Sequence, residues 1–338
     1  MDKNSNNLTA LRGANRFYSL DKLKAICAFL IVCIHAPFPG TFGNYFTSLT
    51  RIAVPIFFMI SGYFFSAVKA KSQIKKVLQL VVVSNSIYFI FRIANAVLRH
   101  NLIDYIYSVF TIKRLVLFFI FNESPFAVHL WYLGAIFYVY ILFYMADKNG
   151  WLNRIVMLFP ILLVVDIVFG KYSLLVFQCE FPVSMLRNWL FVGVPYFSIG
   201  LLIQKNSRIL SDNANKHILE LSIVAFSFTT ILERFFLISN QINTIRDQYI
   251  STTFLAVSVF LFFLYFVDNQ QNMLAQIGCN ESTGVYIIHF VFIKLLGGVV
   301  NYFPQFDFIY NLVRPVIIFI LSVLVIKFVK NIYCKEHC

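Results

Sequence analysis

The stretch SLDKLKAICAFLIVCIHAPF, residues 19–38, decides the fold. It is an apolar run with a charged foot, and it carries a histidine, His35, near its far end. Lys24 and His35 are eleven positions apart. At about 100° per residue, eleven steps return to within roughly 20° of the starting face. Both side chains are therefore expected on one stripe of one helix, about 16 Å apart along its axis. Pro37 and Pro39 stop that helix just past the histidine, because proline lacks the N–H a helix needs. An ionisable group inside an apolar helix is costly, and it marks a functional site by default.

The apolar character runs the length of the chain. Its 338 residues are 59% hydrophobic and 13% charged, against roughly 45–50% and about 25% in soluble domains. This excludes a soluble globular class and predicts a polytopic membrane protein. The 40 Phe are expected mostly to face lipid. The net charge of +13 would suit a nucleic-acid binder, but the cations sit in short loops beside apolar spans, where they set orientation. No nucleic-acid partner is expected; the lipid bilayer is. The first sixteen residues are polar, and the span after them lacks a small-residue cleavage site, so it is expected to be retained. Cys27 and Cys33 lie within that span, and Cys179, Cys279, Cys334 and Cys338 suggest no disulfide framework. Cys334, His337 and Cys338 are close in sequence, yet three ligands on a frayed tail rarely close a zinc shell, so no metal site is expected. The terminal cysteines are not fourth from the end, which excludes prenylation.

A spanning helix needs roughly 20 mainly apolar residues. That window finds about ten, at approximately residues 20–38, 49–67, 77–97, 129–146, 152–169, 189–204, 217–238, 250–267, 283–299 and 310–329. The segment 102–121 is apolar but broken by Asp104, Lys113 and Arg114, and reads as interfacial helices on the membrane surface. Positive charge orients the bundle. Lys3, Arg12, Arg16, Lys22 and Lys24 fall on one side, with Lys69, Lys71, Lys75 and Lys76 in the loop after the second span. Lys148 with Arg154, then Lys205, Arg208 and Lys216, then Lys327, Lys330 and Lys335 join them. The opposite loops hold fewer, among them Arg99, Lys113, Arg114, Lys171, Arg187 and Arg246. The expected fold is an all-α polytopic membrane helix bundle of about ten transmembrane helices, both termini cytoplasmic. Its parts are an amino-terminal arm (1–18), a membrane domain (19–331) and a tail (332–338).

Several residues could carry chemistry. Asp21 and Lys24 are an i,i+3 pair able to form a helix-surface ion pair; Lys24 also suits an anchor that snorkels to the interface. His35 reads either as an interior histidine bonded to a carbonyl or as a general base, since imidazole titrates near neutral pH. Arg51 at the outer end of the second span is an interfacial anchor or a ligand for an oxygen anion or sugar. Pro55 and Gly62 permit a bend or close packing, and Ser61 beside them is a polar candidate. His129, Trp131 and Tyr132 form an aromatic belt or stack on a sugar. Tyr286 and His289 are neighbours on the ninth helix. Glu123 reads as a loop acid, Arg187 and Asn188 as anchor or acceptor contacts, and Asp166 and Glu233 as helix-end pairing groups.

The run RFYSLDKLKAICAFLIVCIHA followed by VPIFFMISGYFF resembles the integral-membrane acyltransferase family, type 3, whose members O-acylate glycans. The family pattern of a basic residue, ten residues and a histidine falls here on Lys24 and His35; its proline-phenylalanine run ending in Ser-Gly-Tyr falls on Pro55 to Tyr63. HLWYLGAIFYVY at 129–140 and STGVYIIHF at 282–290 also look like the family. The resemblance implies an O-acetyltransferase with no permanently bound cofactor. It takes acetyl-CoA, or another acyl-CoA, as co-substrate and modifies a glycan or glycolipid of the cell envelope, in the bacterial cytoplasmic membrane. It implies donor binding by Lys24, with Asp21 beside it, and catalysis by His35, as base or as acyl carrier. Arg51, Ser61, His129, Trp131, Tyr132, Tyr286 and His289 are then candidates for acceptor or oxyanion contacts. For a chain ending after its tenth span it implies the membrane-only form, with any second transferring domain supplied by a partner; a homo-oligomer is compatible with it. The competing reading is a transporter or flippase for a glycan or lipid-linked intermediate, against which stands the lack of paired interrupted helices in corresponding halves. A third, a sensor that has lost activity, is disfavoured by the intact Lys24/His35 pair. The topology has a direct check: a cysteine at position 148 is expected to react only with reagent on the cytoplasmic side, and labelling from outside would overturn the ten-span arrangement.

Overall fold

The computed structural model describes residues 16–242 and 248–336, and side chains as far as Ile332. Lys3, Arg12, Arg246 and the terminal Cys334, His337 and Cys338 group lie outside the described residues or side chains. Among the described residues the regular elements are all helices. The chain begins with α1 (Tyr18–His35), α2 (Gly40–Leu49), a 3-10 turn (Thr50–Ile52) and α3 (Ala53–Tyr63). Then come α4 (Ala67–Leu98), α5 (Leu102–Val109), α6 (Ile112–Phe121), a 3-10 turn (Val128–Leu130) and α7 (Trp131–Lys148). The middle of the chain forms α8 (Leu152–Met157), α9 (Phe159–Phe169), α10 (Ser173–Phe177) and α11 (Val183–Leu186). A π-helical turn (Trp189–Gly193) leads into α12 (Val194–Lys205), followed by α13 (Ser207–Asp212) and α14 (Lys216–Ser239). The last helices are α15 (Ile250–Tyr265), α16 (Met273–Asn280), α17 (Ser282–Val300) and α18 (Asp307–Glu336).

Each of the ten expected spans has a helical counterpart. Seven runs are long and apolar enough to cross a membrane: 40–63, 67–98, 128–148, 152–169, 216–239, 282–300 and 307–332. Residues 189–205 and 250–265 are shorter apolar helices, and α1, with Asp21, Lys22 and Lys24 in its first two turns, is the tenth. Between 102 and 121 the chain bends at Phe110, leaving two helices of 8 and 10 residues. At 1.5 Å per residue each reaches about 12–15 Å, half of what a crossing needs.

Side-chain contacts sort the loops into two ends. Lys22 meets Asp268, Tyr265 meets Ser207, Lys205 meets Asn153, Lys71 sits over the Tyr144 ring and Lys330 bonds the Asn280 carbonyl. Those contacts gather at one end of the bundle the basic clusters of the amino-terminal foot, of the segments after the second, fourth and sixth spans, and of the last helix. At the other end Arg314 bonds the Pro37 carbonyl and Arg92 the Phe126 carbonyl.

Helix α1 runs through the middle, packed by α3, α16, α17 and α18. Helices α3 and α12 cross backbone against backbone. A Cβ on Gly62 would run into the Phe197 carbonyl, and one on Gly200 into the Met59 carbonyl. Gly278 of α16 lies in the same way on the Asp21 carbonyl of α1. In a bilayer, where apolar surface gains little by leaving lipid, such close approach and its dispersion contacts carry helix association. Around this centre α4 and α14 present mostly exposed Val, Ile, Leu and Phe, which is the lipid-facing surface.

Two boundaries differ from the expected ones. The lysines 69, 71, 75 and 76 are not in a loop but in the first turns of the 32-residue α4, because lysine is a good helix former and no breaker follows Ser66. The second span starts at Gly40 rather than 49 and ends at Tyr63, which puts Ser61 and Gly62 near its end instead of its middle. Gly62→Ala and Gly278→Ala are each expected to cost about 1–3 kcal/mol through overpacking, seen as earlier thermal aggregation in detergent. Gly297→Ala, where a Cβ meets nothing within 4 Å, is expected to leave that temperature unchanged.

Candidate active site

At the foot of α1 the Asp21 carboxylate is buried and binds two cations. Arg16 Nε lies 2.7 Å from its Oδ2 and Lys24 Nζ 3.0 Å from its Oδ1. Arg16 also reaches Cys279 Sγ on α16. On the next residue, Lys22 Nζ lies 2.7 Å from Asp268 Oδ1, and this hydrogen bond holds the Asp268 carboxyl below the usual carboxylate range. The basic foot is thus an arranged set, with Arg16 and Lys24 both partly exposed around one buried acid.

At the head of α1 a recess opens beside His35. Its walls come from α1 (Ile31, Ile34, His35), the turn before α3 (Arg51), α3 (Val54), the start of α7 (His129, Trp131), the loop before α12 (Arg187), the loop before α15 (Gln248) and α17 (Tyr286). Arg187 stands over the Trp131 ring at 5.7 Å. No acid is among these lining residues, so two guanidinium groups and two imidazoles face one space.

Behind the recess three histidines converge. Ring centres of His35 and His289 are 5.3 Å apart, His35 and His129 6.0 Å, and His129 and His289 5.0 Å. His289 is 0% exposed and His129 2%. His129 is held on every side. Its Nε2 lies 3.3 Å from the Ile287 carbonyl, its ring stacks on Phe290 at 5.0 Å, and the Tyr286 hydroxyl donates to its carbonyl. The Tyr88 hydroxyl donates to the same Ile287 carbonyl at 2.7 Å. His289 Nδ1 lies 3.0 Å from the Val285 carbonyl, one turn back on its own helix.

Of the residues singled out in the sequence, His35, Arg51, His129, Trp131 and Tyr286 meet at the recess, with His289 directly behind. Tyr132 packs against Phe58 and Tyr286 instead, with ring centres at 4.8 and 5.5 Å. Ser61 turns its hydroxyl to the Phe57 carbonyl, 2.9 Å away, and is not a wall of the recess. Lys24 and Asp21 are at the opposite end of α1, and Cys27, Ala28 and Ile31 between them and His35 are buried at 0–2% exposure. Glu233 does pair with a helix end: it accepts the Ile250 and Ser251 amides at 2.9 Å each and so caps α15. Glu123 shares a surface hollow with Lys113 and Arg114.

Sequence reasoning missed Tyr88, Gln248 and Asn122. Tyr88 is one of many tyrosines in apolar helices, and Gln248 is a loop amide; neither carries a local signal. Asn122 has one, a left-handed backbone (φ 53°) at the end of α6. Its amide donates to the Trp131 carbonyl at 2.9 Å and accepts the Trp189 amide at 3.0 Å, tying α7 to the turn before α12. Among the described residues no three His, Cys, Asp or Glu side chains are placed to hold a metal ion.

The structure is thus a helical membrane bundle with an imidazole in a polar recess at one end of α1 and ordered cations at the other, and a comparison gives it a family. A model described as an acyltransferase domain, type 3, matches residues 17–329, and the chain belongs to that family of membrane acyltransferases. No curated protein and no solved structure matches it. Asn122→Ala leaves the half-buried Trp189 amide without its acceptor and the Trp131 carbonyl with its helical bond alone, and is expected to cost about 1–2 kcal/mol, measured as a lower unfolding temperature in detergent.

Proposed function

We propose that this acyltransferase moves an acetyl group from cytoplasmic acetyl-CoA to a hydroxyl of a cell-surface or lipid-linked glycan, in a bacterial cytoplasmic membrane. The observation that carries the reading is the two-ended build of α1: Arg16 and Lys24 ordered on Asp21 at the basic end, His35 in a recess at the other. Phosphates of the donor suit the basic end, where Arg16 and Lys24 offer charge-assisted hydrogen bonds. Asp21 would repel a phosphate directly, so its part is to hold the two cations in place. The acyl end of the donor lies toward His35, along a line of side chains that must shift to admit it.

His35 then acts as general base. As the acceptor oxygen attacks the thioester carbonyl, its proton passes to the free ring nitrogen of His35. The carbonyl oxygen gathers negative charge, which Arg51 stabilises. When the C–S bond breaks, the His35 proton goes to the thiolate, leaving an ester and free CoA thiol. Trp131 offers a stacking face and Arg187 the donors a sugar ring needs.

The test uses the cells from which the chain comes, with the chain deleted and each variant returned. His35→Ala is expected to abolish O-acetylation of envelope glycans by mass spectrometry while membrane insertion is unchanged; normal acetylation would remove it from the mechanism. Lys24→Ala is expected to raise the KM for labelled acetyl-CoA in isolated membranes, and Lys24→Arg to be tolerated. An unchanged KM in the alanine variant would refute the phosphate role. Glycan export lost with acetylation never present would favour the flippase reading.

A further inference from the structure

The hydrogen bonds of the two histidines behind His35 fix their tautomers. A backbone carbonyl only accepts, so His289 must carry its proton on Nδ1, facing Val285, and His129 must carry its proton on Nε2, facing Ile287. Two guanidinium groups and no acid line the adjoining recess, which favours neutral rings, and in a neutral ring the remaining nitrogens, His289 Nε2 and His129 Nδ1, are lone pairs. Both are buried without a hydrogen-bond partner. A buried acceptor left unpaired costs free energy, and one beside a catalytic candidate calls for a functional explanation.

His35 is the polar group next to both. A ring nitrogen lies about 1.1 Å from the imidazole centre, so a linear N–H···N bond of about 2.9 Å sets ring centres about 5.1 Å apart. The His35–His289 separation is 5.3 Å, and the His35–His129 separation is 6.0 Å. The pair with His289 has the right spacing for such a bond after a small ring rotation, and the pair with His129 is too wide.

We infer that His289 is the positioning residue of His35: its Nε2 accepts the N–H of His35, so that the other His35 nitrogen is left as a lone pair toward the recess. This inference rests on the base role proposed for His35 and adds to it. In a triad of the serine-hydrolase kind a carboxylate does this job, orienting the base and steadying its charged form. Here a neutral imidazole does it, in a site whose walls already carry Arg51 and Arg187. When His35 takes the acceptor proton it becomes imidazolium, and the His289 lone pair strengthens its bond to the retained N–H. The proton itself leaves with the thiolate, so His289 starts and ends the cycle neutral. The other titratable and charged groups around the pair are His129, Arg51, Arg187, Tyr88, Tyr132 and Tyr286.

Two substitutions separate the two nitrogens of His289. Asparagine places an amide where Nδ1 lies, and lacks an acceptor where Nε2 lies. Glutamine reaches the Nε2 position with an oxygen able to accept. In membranes of the source cells supplied with labelled acetyl-CoA, His289→Asn is expected to lower kcat about 100-fold with the KM for acetyl-CoA within twofold, and His289→Gln to recover at least tenfold of the loss. A wild-type kcat in His289→Asn, or equal losses in the two variants, would overturn the assignment. His35→Ala, run alongside, keeps the two ideas apart. If it is inactive while His289→Asn is normal, only the positioning role falls; if His35→Ala is itself active, the base role falls first.

Discussion

One carbonyl oxygen, that of Ile287, holds the functional end of this protein together. It accepts the Tyr88 hydroxyl from α4 and lies within reach of His129 Nε2 at the start of α7, while belonging itself to α17. Three helices far apart in sequence thereby meet at a point directly behind α1. Its helical bond from Val291 leaves one lone pair, which the Tyr88 hydroxyl takes at 2.7 Å, while His129 Nε2 at 3.3 Å shares the same oxygen more weakly. Everything the recess offers, from the angle of the His129 ring to the place of Tyr286, follows from that junction.

The two ends of α1 use opposite electrostatics. The basic end keeps its cations exposed around a buried acid, so charge is both ordered and available. The far end has imidazoles in the interior, aromatic rings around them, and guanidinium groups on the wall of the recess. In the proposed reaction a charged donor is met in a wet, screened place, and proton transfer falls in a drier one where dipoles act more strongly. Between them Cys27, Ala28 and Ile31 are buried.

Much of this could be read along the chain. The ten spans were legible because runs of about 20 apolar residues have few other uses. Lys24 and His35 were legible because a charge at the foot and an imidazole deep in the same run stand out against it. The convergence of His35, His129 and His289 was not, since helix spacing speaks only for neighbours within a few turns, and these three lie on α1, before α7 and on α17. Gln248 and Tyr88 gave no signal, as their place depends wholly on tertiary packing. Helix α2, GTFGNYFTSL, has poor intrinsic helix formers. It is helical because Gly43 settles on the Phe38 backbone and Phe38, Phe42 and Phe46 stack. The four lysines before Val77 were misplaced because a charge run suggests a loop even where its residues prefer a helix.

That misplaced run sets the height of the whole molecule. Helix α4 has 32 residues and is therefore about 48 Å long, against a hydrocarbon layer of about 30 Å. Tilt cannot hide so large an excess, so its first turns stand among the lipid headgroups. Lys69, Lys71, Lys75 and Lys76 are in that part, where anionic headgroups attract them. They act as a waterline: by pinning one end of α4 at the lipid phosphates, they set how deep the imidazole cluster sits, and with it the side of the hydrocarbon from which the proposed acceptor would approach.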